Sequence, residues 1–148
     1  MLVLTRDSAV FTVPDAVASR CGTLRTAMDE CGGVEHVPAP NVTAGDMASI
    51  VEFYTHVGDL SLSSAPPATA AAYKTAFFAR MPPPDLFALM NAANYLDARE
   101  LLEDASAYVA ELIRGKSPEA IRDILHLRAD LTAAESAHIG NDFKWAFP

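Results

Sequence analysis

The chain has 148 residues, a formal net charge of −8, and 51% hydrophobic against 20% charged residues, which suits one domain of ordinary size with a buried core and no disulfide scaffold. The acidic balance, with Lys and Arg gathered nowhere, argues against nucleic acid as a partner, and the apolar runs are too short to cross a bilayer. MLVLTRDSAV carries no secretory leader pattern, so the expected home is cytoplasmic and nuclear. Cys21 and Cys31 then read as small, partly buried hydrophobes of a reducing compartment.

In chain order, LVLT (2 to 5) and AVFTV (9 to 13) flank the turn-rich RDSA and predict a β-hairpin. Pro14 suits a first helical turn, and DAVASRC and TLRTAMDEC predict two short helices stopped by Gly32 and Gly33. VEHVPAP predicts a brief edge strand, because Pro38 and Pro40 cannot donate to a central ladder. Thr43 with Asp46 forms a capping box with Asp in place of Glu, and Met47, Ile50, Val51 and Tyr54 follow at helical spacing. From Gly58 to about Pro67 the chain is small, polar and proline-containing, which predicts a loop. A weak helix exposing Tyr73, Phe77 and Phe78 follows, until Pro82 to Pro84 stop it. Asp85 then caps DLFALMNAANYLD. The next helix, ARELLEDASAYVAELI, carries Leu102, Ala105, Val109, Leu112 and Ile113 at a 3.6-residue period.

RGKSPE (114 to 119) contains Gly-Lys-Ser, the last three positions of a phosphate-binding loop. Such a loop needs a first Gly separated from this run by four residues, and a preceding strand. That position is Ala110, inside a helical pattern, and Pro118 removes an N–H where the cradle belongs. Helix punctuation explains the run instead: Gly115 ends one helix, Arg114 and Lys116 complement its negative end, Ser117 caps the next, and Pro118 takes its first position. Thr132 and Glu135 form a second capping box, predicting a last helix from about Ala133 to Ile139.

Little else in the residues points to chemistry. His36, His56, His126 and His138 are scattered without ligand spacing. Glu100, Glu103 and Asp104 read as a solvated stripe near a helix start, and no Ser or Cys sits in a nucleophile elbow. No catalytic residue, metal site or cofactor is expected. The anomaly is the tail, where Ile121, Ile124, Leu125, Leu127, Leu131, Ile139, Phe143, Trp145 and Phe147 sit in two helices too short to stand alone. They either fold back on the chain's own core or make a cradle for another protein's helices.

The succession VPAPNV (37 to 42), NAANYLD (91 to 97), VAELIRGKSPEAIRDIL (109 to 125) and KWAF (144 to 147) resembles the S-phase-kinase-associated (SKP) adaptor family of cullin-RING ubiquitin ligases. The resemblance runs in order over nearly the whole chain. It implies a mainly helical α+β fold: a BTB/POZ-like domain over 1–114, with a loop at 58–84, and a C-terminal helical F-box-binding extension over 115–148. Elongin C shares the core without that extension. The resemblance also implies an SCF-type adaptor that is not an enzyme and whose partners are F-box proteins and a cullin N-terminal domain. Asn94 and Tyr95 match positions facing the cullin. Leu102, Val109, Ile113, Ile121, Leu125, Leu131, Ile139 and Trp145 match positions facing the F-box, and a homodimer of the free chain fits the same exposed cradle. Unlike the family pattern, residues 58–79 are neutral and Ala-rich rather than acidic, and Ala133 replaces a proline that some lineages modify. The competing readings are an F-box-sequestering decoy without cullin binding and a free-standing BTB/POZ oligomerisation module.

Overall fold

The computed structural model describes residues 1–30, 36–63, 66–128, 132–143 and 145. It has the anticipated mainly helical α+β architecture. Strand β1 (Leu2–Thr5) pairs antiparallel with β2 (Val10–Thr12) and parallel with β3 (Val37–Ala39), in the order β2-β1-β3. Period-two burial is plain in β1, where Val3 and Thr5 point inward and Leu2 and Leu4 outward. Pro38 sits on the β3 edge, where its missing N–H costs no ladder bond.

Eight helices complete the described residues: α1 (Asp15–Ala18), α2 (Gly22–Glu30), α3 (Ala44–Leu62), α4 (Pro67–Ala79), α5 (Pro83–Tyr95), α6 (Arg99–Ile113), α7 (Pro118–Ile124) and α8 (Ala133–Asp142). The expected Gly32-Gly33 stop and Cys31 lie outside the described residues. Helix α3 starts as its capping box predicts: Thr43 Oγ1 accepts from Asp46 N–H at 3.1 Å, and Asp46 Oδ2 accepts from Thr43 N–H at 3.2 Å. The β1–β2 turn adds a third fastening. The Thr5 hydroxyl lies 2.6 Å from Asp7 Oδ1, and that carboxylate accepts from Ala44 N–H at 3.0 Å, which satisfies an otherwise unpartnered donor of the first turn.

Three sequence expectations are corrected. Residues 58–63 are not a loop: α3 runs through Gly58 to Leu62, and Ser63 caps it. A well-nucleated helix propagates through one glycine at modest cost, and Val57, immediately before Gly58, is buried against the core. Phe77 and Phe78 are not exposed but are each 1% accessible. The neutral, alanine-rich α4 lies among other helices, with Phe77 5.3 Å from Phe53 of α3 and Phe78 5.6 Å from Tyr108 of α6, centroid to centroid; Tyr73 is half-buried. Finally, Asp85 does not cap α5. Pro82 is the cap residue and Pro83 opens the helix, leaving Asp85 in the first turn, where its charge still complements the helix dipole.

The chain divides into two compact units, Met1–Arg114 and Gly115–Pro148. The core of the first combines Val3, Val13, Leu24, Val42, Met47, Ile50, Phe53, Phe77, Phe78, Leu89, Leu96 and Leu101, all below 2% exposure. On α6 the fully buried positions are Leu101 and Ala105; Leu102, Val109, Leu112 and Ile113 are half-buried beside them. In the second unit Ser117 Oγ accepts from Ala120 N–H at 3.3 Å, and Thr132 and Glu135 form the predicted capping box.

Phe53→Ala is expected to cost about 3–5 kcal/mol of unfolding free energy. Leu62→Ser, at a position 87% exposed, stays within about 0.5 kcal/mol. Urea denaturation followed by circular dichroism checks both.

Candidate protein-protein interface

Asn94 and Tyr95 occupy the last turn of α5, Asn94 exposed and Tyr95 half-buried with part of its side chain packed on the core. The turn is held by a Schellman closure: Ala98 N–H donates to Ala93 O at 2.8 Å, and Asp97 N–H to Asn94 O at 3.2 Å. Asp97 takes the left-handed position usually given to glycine, with φ +51°. Its side chain is tied to Arg99 Nε at 2.9 Å, and buried Ala93 and Ala98 supply the apolar contact that accompanies the motif.

This closure leaves the carbonyls of Tyr95 and Leu96 without partners in α5, and the start of α2 supplies them. Thr23 N–H donates to Leu96 O at 3.1 Å, the Thr23 hydroxyl to Tyr95 O at 3.0 Å, and Gly22 N–H to Asp97 O at 3.1 Å. A Cβ at position 22 would overlap Asp97 Oδ2 and stand 2.8 Å from its Cγ, so with Asp97 in this position the approach suits glycine. The sequence reading missed both residues. The available signal was a glycine directly before the first turn of a helix, which has no local purpose there.

Beneath this junction Cys21 is fully buried, and burial, with a smaller contribution from Asp97, pushes its thiol up to about 11. The Tyr54 hydroxyl, which accepts from Leu101 N–H at 3.4 Å, is likewise pushed up to about 12 by burial.

The residues matched to an F-box face fall in both units. Leu102, Val109 and Ile113 form one half-buried stripe on α6, rotated from the core stripe of Leu101 and Ala105. Ile121 and Leu125, one turn apart at α7, are half-buried, and none of α7's residues is fully buried. Ile139 of α8 is exposed and Trp145 is 82% exposed. Leu131 and Phe147 lie outside the described residues.

The Gly-Lys-Ser run is helix punctuation. Residues up to Ile113 are helical, Gly115 has φ +69°, and Ser117 caps α7 with Pro118 at its first position. The acidic cluster on α6 is only partly a solvated stripe. Glu103 is exposed, but Lys74 of α4 reaches Asp104 Oδ2 at 2.7 Å and Glu100 Oε1 at 3.6 Å, and Arg20 reaches Glu100 Oε2 at 2.8 Å. The Lys74–Asp104 pair lines the rim of a groove of about 450 Å³ between α4 and α6, walled by Phe78, Tyr108 and Leu112.

A family profile described as "Skp1 family, dimerisation domain" matches residues 99–146. SKP1-like protein 4 of Arabidopsis thaliana is 31% identical, the match covering 99% of this chain and 96% of the relative. The chain belongs to the Skp1 family. Other family members similar to it are the SCF ubiquitin ligase complex protein SKP1a of Dictyostelium discoideum, 30% identical over 94% of this chain and 90% of the relative, and the E3 ubiquitin ligase complex SCF subunit sconC of Talaromyces marneffei, 32% identical over 95% and 92%. At about 30% identity this is a divergent member of the Skp1 family, and its α4 is one of the departures the sequence pattern had marked.

Two measurements check the junction. Gly22→Ala is expected to cost about 1–3 kcal/mol through overpacking, and Asp97→Gly, which removes the opposing carboxylate and suits the positive φ, should relieve that cost in a double-mutant cycle. Raised values at Cys21 and Tyr54 mean that the fold favours their protonated forms. Their contribution is present below about pH 9 and is lost as pH rises from the ordinary 9.0 and 10.0 toward about 11 and 12. Cys21→Ala should remove the lower part of that loss in urea midpoints measured between pH 8 and 11.

Proposed function

We propose that this chain is an adaptor linking F-box substrate receptors to a cullin scaffold in an SCF-type ubiquitin ligase, in support of ubiquitin-dependent protein degradation in cytoplasm and nucleus. The observation that carries this reading is the near full-length relation to proteins named as SCF ubiquitin ligase complex components. The layout agrees with it. Asn94 and Tyr95 end a helix braced from behind, which suits a contact that must stay in place under load. Tyr95 offers a large amphipathic surface with a buried foot, and Asn94 a hydrogen-bonding head. Leu102, Val109 and Ile113, with Ile121, Leu125, Leu131, Ile139 and Trp145, supply apolar side chains for helices of a receptor. Such an adaptor makes and breaks no bond. It sets the distance between receptor and scaffold, so rigidity is its contribution and no catalytic residue is assigned.

A second reading concerns the free chain. The family profile over 99–146 carries the word dimerisation, and Ile139, Phe143 and Trp145 are exposed apolar groups within it. Self-association through residues that otherwise hold the F-box follows from that chemistry, and an F-box peptide should then dissociate the dimer.

Co-purification with an F-box peptide and a cullin N-terminal domain tests the adaptor. Wild type should elute with both. Trp145→Ala should weaken the F-box about thirtyfold, the loss typical of an aromatic hot spot, and Asn94→Lys with Tyr95→Lys should lose only the cullin. Capture of the F-box without the cullin would make the chain a sequestering decoy, and capture of neither a BTB/POZ oligomerisation module.

A further inference from the structure

Of the three hydrogen bonds that α2 gives to the end of α5, two come from backbone N–H groups and one from a side chain, the hydroxyl of Thr23 to Tyr95 O at 3.0 Å. Its acceptor belongs to one of the two residues matched to the cullin face. The last turn of a helix frays unless its carbonyls are satisfied, and this one turns back through a left-handed Asp97 rather than a glycine, a conformation that costs free energy for a residue with a side chain. The Schellman bonds satisfy Ala93 O and Asn94 O only. The carbonyls of Tyr95 and Leu96 take their donors from outside α5, both from Thr23, while Gly22 N–H serves the Asp97 carbonyl that follows. The approach also sets the positive end of α2 against the negative end of α5.

We propose that Thr23 is a positioning residue for Tyr95: its hydroxyl, clamped on the Tyr95 carbonyl, fixes the last turn of α5 in the geometry that presents Asn94 and Tyr95 to a cullin. The inference rests on the adaptor reading above. Gly22 makes the approach possible, and Thr23 locks it. The face matched to the F-box does not use this junction, since Leu102, Val109 and Ile113 lie on α6 and the remainder beyond residue 115.

Thr23→Val keeps the shape of the side chain and removes the donor, whereas Thr23→Ser keeps the donor. In the full-length chain, calorimetric affinity for a cullin N-terminal domain should fall about three- to tenfold in Thr23→Val, the contribution of one neutral hydrogen bond, and should return to within about twofold of wild type in Thr23→Ser. Affinity for an F-box peptide should not change in either. In the unbound chain, amide exchange at Asp97 and Ala98 should quicken in Thr23→Val and not in Thr23→Ser; this separates positioning from direct contact between Thr23 and the cullin. Equal cullin affinity in wild type and Thr23→Val, an equal loss of the F-box, or unchanged amide exchange would each overturn the proposal. A wild-type chain that binds no cullin would instead remove the adaptor reading, and the proposal with it.

Discussion

A three-stranded sheet with strands of three or four residues cannot bury a core by itself, and everything in the first unit follows from how that deficit is met. The helices meet it with aromatic rings. Phe53 of α3 lies within 6 Å of Tyr54, Phe77 and Phe78, centroid to centroid, and Phe78 continues the contact to Tyr108 of α6. Edge-to-face and tilted pairs of this kind add to the transfer free energy of the rings themselves. They place α4, α3 and α6 side by side, and α5 packs against α3 and α6 to close the core over Leu86, Leu89 and Leu96.

Once that core is closed, α6 has two apolar stripes and needs only one of them inward. Leu101 and Ala105 disappear into the core, while Leu102, Val109 and Ile113 are left half-covered. Extra apolar surface held on a rigid helix is what a binding module requires, because the groups are ordered before the partner arrives and less entropy is lost on association. The α2–α5 junction applies the same economy at the other candidate surface: donors that α2 cannot use internally satisfy acceptors that α5 cannot use internally, so both helix ends are fixed by groups that would otherwise need water.

The alanine-rich segment that departs from the family pattern is also where the aromatic contact is made. Residues 67–79 are alanine-rich and neutral except for Lys74, yet the C-terminal half of α4 is anchored twice, by Phe77 and Phe78 in the core and by Lys74 between Glu100 and Asp104. The ion pairs are partly exposed and contribute modestly to stability. Their effect is on orientation, since they hold the helix against α6 at the rim of the groove.

Much of this was legible in the residues. The hairpin, the edge strand at Val37–Ala39, both capping boxes and the Ser117-Pro118 helix start are local: a few neighbouring side chains compete only with water, and their chemistry decides the outcome wherever the segment ends up. The family relation was legible for the same reason, since short motifs retain their order. Apart from the Asp85 cap, what sequence reading misjudged was non-local. Residues 58–63 look like a loop and Phe77 and Phe78 like surface, because composition reports what a segment can do alone, while burial is decided by which helices arrive on its other side. Gly22 and Thr23 stand 72 or more residues from the carbonyls they serve, so no spacing rule links them to Tyr95 and Asp97. The sequence by itself determined where the side-chain-capped helices α3, α7 and α8 begin and which family the chain belongs to. Only the tertiary structure decided which apolar stripe is core, which is left half-covered, and which distant hydroxyl bonds to the end of α5, because those outcomes depend on proximity that folding alone creates.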